Sequence, residues 1–213
     1  MKKRWVMIAG IVGVILIASV LVGPIMSNVE QPEYEVISSH QNIEIRHYKK
    51  MIIAEVKIQG SRKEAIGDGF RLLADYIFGN NTINQALNND GGVSVSAQQQ
   101  NTQIAMTAPV QQQQQDGLWQ IRFVMPVKYR LKTLPQPNDR RVTLKEIPSK
   151  RFVTIRFSGT NNDENINHYE TQLMDYVNAN NVMVTGSPQY AFYNPPWTLP
   201  FMRRNEIMIE IKQ

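Results

Sequence analysis

An α+β domain is what this sequence predicts: duplicated half-domains forming a distorted antiparallel β-barrel flanked by two α-helices, preceded by an N-terminal transmembrane helix. Three observations point there. The chain resembles itself once, over a unit of about 100 residues. Each copy carries one amphipathic stretch between short apolar strands. An uncharged apolar run occupies positions 5–26.

Composition limits the rest. At 213 residues, with 42% hydrophobic and 19% charged content, the chain is long enough for one good core and short for two. It has no cysteine, which excludes disulfides, thiolate nucleophiles, Cys-ligated zinc and iron–sulfur clusters. The net charge of +5 is local, because Lys2, Lys3 and Arg4 leave only 20 basic against 18 acidic side chains for the remainder. A nucleic-acid partner, which needs a basic stripe on the folded domain, is therefore not expected.

The elements follow in order. Trp5 to Met26 is long enough to cross a hydrocarbon layer of about 30 Å as a helix. A retained anchor is favoured over a cleaved signal peptide, because the run exceeds a usual signal core and no small-x-small site precedes Ser27. The basic residues before it stay cytoplasmic, which would place the domain in an exoplasmic, periplasm-like space. Residues 27–32 read as a linker and 33–213 as the domain. Its halves span about 33–126 and 142–212: "RHYKKMIIAEVKIQG…FRLLADYI" in the first matches "EIPSKRFVTIRFSGT…TQLMDYV" in the second. Each copy runs strand, tight turn, strand, glycine, helix, then a Pro-containing segment and an apolar strand. The later strands are expected in "IAMTAPV" and "WQIRFVMP", and in "PQYAFYNPP" and "NEIMIEI". The glutamine runs at 98–100 and 111–115 read as polar loops.

In "IEIRHY", alternation puts Ile43, Ile45 and His47 on one face, expected to point into the barrel, with Glu44, Arg46 and Tyr48 on the other. On the residues alone His47 is a core histidine before it is a metal ligand. The first helix spans roughly Arg62 to Phe78: Ser61-x-x-Glu64 has the form of a capping box, and Gly79-Asn80-Asn81 supplies the stop. Its core stripe is Ile66, Phe70, Leu73 and Ile77, widened by Ala65, Leu72 and Tyr76. Gly67, Ala74 and Phe78 lie beyond its edge beside Lys63 and Arg71. These small side chains leave room either for a flat apolar ligand bearing carboxylates or for a closely packed loop. The second helix, about Asp163 to Asn178, buries Ile166, Leu173 and Val177. His168 should face solvent and His40 should lie in a turn.

No nucleophile elbow, zinc helix, phosphate loop or dinucleotide fingerprint occurs, so a binding protein is favoured over an enzyme. The segment "YNPPWTLPFMRR", residues 193–204, carries Trp197, Leu199, Phe201 and Met202, more apolar surface than a loop normally shows. It suits a lid over a ligand or a plug for the barrel end.

"YEVI…IEIRHY", "AMTAPV", "IRFVMP" and "YNPP…RRNEIMIEI", in register with the duplication, resemble the SOUL haem-binding protein family over about residues 33 to 212. The resemblance implies the same two-half fold and a tetrapyrrole ligand, haem above all, bound as carrier, buffer or sensor. One branch of the family uses the histidine matching His47 as a proposed axial ligand. Another lacks it and binds in a groove between the first helix and the loop before the last strand. On this chain that groove falls to Gly67, Phe70, Arg71, Ala74 and Phe78 with Trp197, Leu199, Phe201, Met202 and Arg203. The sequence departs from the groove-binding branch at Phe70 and Ala74, where Met is usual, and near Thr198, where a cation is usual; Arg71, Arg203 or Arg204 could replace that charge. The fold also resembles effector-binding modules of bacterial regulators, so other amphipathic small molecules, or a protein partner alone, are the alternatives.

Overall fold

The computed structural model describes residues 29–83 and 101–212. The expected anchor at 1–26 and the glutamines at 98–100 lie outside them. Among the described residues no helix is long and apolar enough to cross a membrane.

Among the described residues eleven strands and two α-helices follow in order: β1 (Tyr34–His40), β2 (Ile43–Tyr48), β3 (Met51–Ile58), α1 (Arg62–Ile77), β4 (Asn81–Thr82), β5 (Val110–Gln115), β6 (Leu118–Val124), β7 (Gln136–Pro137), β8 (Thr143–Ile147), β9 (Lys150–Phe157), α2 (Asp163–Ala179), β10 (Gln189–Phe192) and β11 (Asn205–Ile211). Nine strands form one antiparallel sheet in the order β1-β2-β9-β11-β10-β5-β6-β3-β8, and β4 pairs with β7. The duplication is visible in that order. Between β2 and β8 the sequence of strands is a palindrome of the two halves, with its centre between β10 and β5. The strand–turn–strand units are not hairpins: β2 pairs with β9 of the other half, and β8 with β3.

The sheet curls without closing, so the expected barrel is a half-barrel edged by β1 and β8. Tyr48, Met51, Ile147 and Lys150, near the strand ends that would have to meet, instead line a cavity on the concave side. Both helices cover the convex face, α1 against β3 and β6, α2 against β9 and β11. Strand alternation sorts the core accordingly. Ala54, Val56, Trp119, Ile121 and Phe123 pack under Leu73 and Ile77 of α1, and Val153, Ile155, Ile207 and Ile209 pack under Ile166, Leu173 and Val177 of α2.

The capping box at α1 forms: Ser61 Oγ accepts from the Glu64 amide at 3.3 Å, while Glu64 Oε2 accepts from the Ser61 amide at 3.2 Å. The stripe of α1 is corrected at two positions. Phe70 is turned outward, 37% exposed, with its ring edge-on to Phe123 at 5.4 Å, whereas Ala74 is buried. Gly69 makes the close approach instead, since a Cβ there would lie 2.4 Å from Ile121 Cγ1; one at Gly67 would meet nothing within 4 Å. Gln111 to Gln115 are not a loop but most of β5, joined to β6 by Asp116 and Gly117 at φ 53° and 76°. The strand expected at "IAMTAPV" therefore begins only at Val110. His40 ends β1 and its ring stacks on Tyr176 at 6.0 Å.

Candidate functional site

Among the described residues, three places are candidates for a ligand. The first is the concave cavity of about 640 Å³, floored by Met51, Ile53, Phe152 and Met208 and walled by Gln111, Gln113 and Gln189. Its charges are mutually satisfied. Lys150 Nζ donates to Glu210 at 2.6 Å; Glu55 accepts from Arg122 Nε at 2.7 Å and from Lys145 Nζ at 2.6 Å. Burial pushes the Glu55 carboxyl up, but the hydrogen bonds and charges of those two cations outweigh it and hold it below the usual carboxylate value.

One end of the concave face is filled by a buried charge cluster. Arg46 donates to both oxygens of Glu206 at 2.9 and 3.2 Å, to Glu44 at 2.7 Å and to the Tyr48 hydroxyl at 3.1 Å. Arg204 Nε and the Tyr193 hydroxyl donate to the same Glu206 carboxylate at 2.9 and 2.8 Å. The two guanidinium groups also lie over aromatic rings, Arg46 on Tyr34 at 4.4 Å and Arg204 on Tyr193 at 3.8 Å. Burial raises the Glu206 carboxyl, yet Arg46, Arg204 and Tyr193 together pull it below its usual value. Burial and the Glu206 charge push the Tyr193 phenol well up. This arrangement holds the N-terminal segment to the sheet, since Arg204 Nη1 also donates to Gln31 at 3.0 Å.

The cluster corrects the reading of "IEIRHY". Its alternation stands, but the face of Ile43, Ile45 and His47 is the convex one, towards α2, and Arg46 and Tyr48 point to the concave side. An arginine can be buried there because a carboxylate, a phenol and an aromatic face meet it. His47 is half-buried, and its side chain makes no hydrogen bond or ion pair among the described residues. No group of three or more His, Cys, Asp or Glu among those residues is placed to hold a metal.

The second place is a cleft of about 850 Å³ between the N-terminal segment and the stretch after β6. Ile52, Met125, Pro126, Val127, Tyr129 and Leu131 line it, with Lys49, Lys50, Arg130 and Lys132 around them. Two backbone amides shape it: that of Ala108 donates to the Glu30 carbonyl at 2.9 Å, and that of Val127 to the Glu30 side-chain carboxylate at 2.5 Å.

The third is the pair of stretches that the sequence expectation joins in a groove, the outer face of α1 and the loop before β11. Phe78 is 58% exposed, Trp197 64% and Phe201 74%; Gly67 and Leu199 are also exposed. The loop carries a short 3₁₀ turn, Pro200–Met202, and its shape comes from its own backbone. Arg203 donates to the Thr198 and Pro196 carbonyls, and the Gly159 amide to the Pro200 carbonyl at 2.9 Å. Thr198 is buried, and its hydroxyl has no hydrogen-bond partner among the described residues. Arg71 is paired with Asp68 on the same helix face. Neither cavity is lined by Gly67, Phe70, Arg71, Ala74, Phe78, Trp197, Leu199, Phe201, Met202 or Arg203.

The concave cavity was missed because its glutamine wall looks like a loop. The signal was present: Asp116-Gly117 is a two-residue hairpin turn, which makes both flanking segments strands. The cleft left no such trace, since its lining comes from five separate stretches of chain.

Comparison with known proteins agrees with this architecture. The C-terminal domain of EcmrR has a similar structure, with a TM-score of 0.55 at 14% identity, covering 84% of this chain and 98% of that one. A hydrolase from Listeria innocua aligns with a TM-score of 0.53 at 11% identity, covering 83% of this chain and 94% of that one. At such identities the likeness is one of fold. No curated protein sequence gives a significant match. The profile of the SOUL heme-binding protein family matches residues 29–210, the whole described domain, and the chain therefore belongs to that family.

Proposed function

We propose that this chain binds a tetrapyrrole, haem first, without transforming it, as a carrier, buffer or sensor at the exoplasmic face of a membrane. The match of the heme-binding family to residues 29–210 carries the ligand class. The apolar run at 5–26 behind three basic residues supports the membrane position. The resemblance implies the helix–loop surface as one seat for the ring, where Phe70, Phe78, Trp197, Leu199 and Phe201 offer exposed apolar area. The cleft is the other. Titrating the full chain in detergent with haem should give a saturable one-to-one absorbance change, and a cationic dye should not compete. Full-length protein should also stay in membranes through an alkaline carbonate wash, with the domain open to protease from the exoplasmic side. A soluble mature chain starting near Ser27 would remove the membrane part and leave the ligand part standing.

A second reading follows from the concave cavity, whose size suits a small molecule and whose amides and paired charges suit a polar one. Dye binding without haem binding would favour it. Binding of neither would favour a protein-interaction domain.

A further inference from the structure

A tetrapyrrole brings two demands to its site: a flat apolar body to bury and carboxylates to neutralise at its edge. The three places meet these demands unequally. In the concave cavity Arg122 and Lys150 are already committed to Glu55 and Glu210. On the helix–loop surface Arg71 is committed to Asp68, and Arg203 to the carbonyls that shape the loop. In the cleft, Lys50, Arg130 and Lys132 are exposed and make no side-chain hydrogen bond or ion pair among the described residues. Three free cations there rim an apolar hollow. The acids around it do not fully cancel them: Glu33 is paired with Lys49 at 2.6 Å, while Glu30, held by the Val127 amide, and Glu146 keep their charge, so the three cations outnumber the remaining carboxylates by one. A volume of about 850 Å³ lies within the range of small-molecule and cofactor sites, roughly 300–1,000 Å³.

Resting on the tetrapyrrole reading above, we infer that the cleft beside the N-terminal segment is the ring's seat. Its apolar face lies against Val127, Tyr129 and Leu131, and its propionates lie at Lys50, Arg130 and Lys132. Arg130 offers the bidentate geometry that a carboxylate accepts best, and the two lysines add point charge.

The test separates the place from the function. Full chain in detergent is titrated with protoporphyrin IX and with its dimethyl ester, followed by porphyrin absorbance. Wild type should bind the free acid about tenfold or more tighter than the ester, the scale of a hydrogen bond to a charged group. Lys50→Glu, Arg130→Glu and Lys132→Glu combined should abolish that preference while the ester still binds, which shows that the variant is folded. Trp197→Asp with Phe201→Asp, on the helix–loop surface, should leave both affinities and their ratio as in wild type. Equal binding of both rings by wild type, or loss of both in the loop variant with the preference intact in the cleft variant, would overturn the inference and keep the function. Failure of wild type to bind either ring would overturn both.

Discussion

Glu206 carries its charge with no exposure to solvent, between two guanidinium groups and a phenol. Taking one partner out of such a cluster leaves buried charge uncompensated, so Glu206→Gln should cost about 3–5 kcal/mol in a urea unfolding experiment. The pH dependence has a definite sign. Because the folded carboxyl titrates below the usual value of 4.5, its contribution is complete above that value, declines as pH falls below it, and is gone once pH passes the depressed folded value. The gap between wild type and Glu206→Gln should thus be constant near neutrality and narrow in acid. His47, next to Arg46, should instead matter little to stability. Half-buried, its side chain without a partner among the described residues, it should tolerate His47→Ala with a change of about 0.5 kcal/mol or less in the same experiment. A Soret shift in that variant would mark it as a ligand to haem iron. Residue identity alone could not assign these two faces: an Ile-Ile-His face looks interior until Arg46 is seen to have Glu206, 160 positions away, as its partner.

Elements were legible where pattern and cap agree. α1 and α2 fall within a residue of their expected ends, because a periodic apolar stripe marks both segments and a capping box starts α1. β11 matches "NEIMIEI" residue for residue. What failed was the reading of polar residues that pairing, not solvent, satisfies: Gln112, in the middle of the glutamine run, has no exposure and donates from Nε2 to the Arg62 carbonyl at 2.8 Å. Two glycines two residues apart on α1, on nearly opposite faces of the helix, give a test at this scale. Gly69→Ala would drive a methyl into Ile121 and should cost about 1–3 kcal/mol. Gly67→Ala meets open space, and the better helix propensity of alanine should raise stability by about 0.5–1 kcal/mol. Thermal melting of the two variants in opposite directions would check both. Ala74, buried, is no position for a charge, so an acidic residue there would report on folding before it reported on ligand.

At the scale of the molecule the two-half plan was visible as a repeat, and the open edge of the sheet was not. Self-similarity says that two units exist but not how they exchange strands. Here each half lends its leading strand, β2 or β8, to the other, and Arg62 of α1 bridges to Asp163 of α2 at 2.6 Å across the halves. Neither half is complete alone. Residues 29–138 and 139–212, expressed separately, should give poorly dispersed amide spectra, and co-expression should restore dispersion.

That exchange also sets a timetable. In register, Ile43 faces Ile155, so the strand "IEIRHY" has no permanent neighbour on its inner side until 112 further residues have been made. At ribosomal speeds of about 5–20 residues per second this is a delay of roughly 6–22 s. During it an apolar strip with Arg46 unpaired stays available to any other extended chain. A cell producing this protein in quantity should therefore show its nascent form held by chaperones, with release only after β9 has emerged.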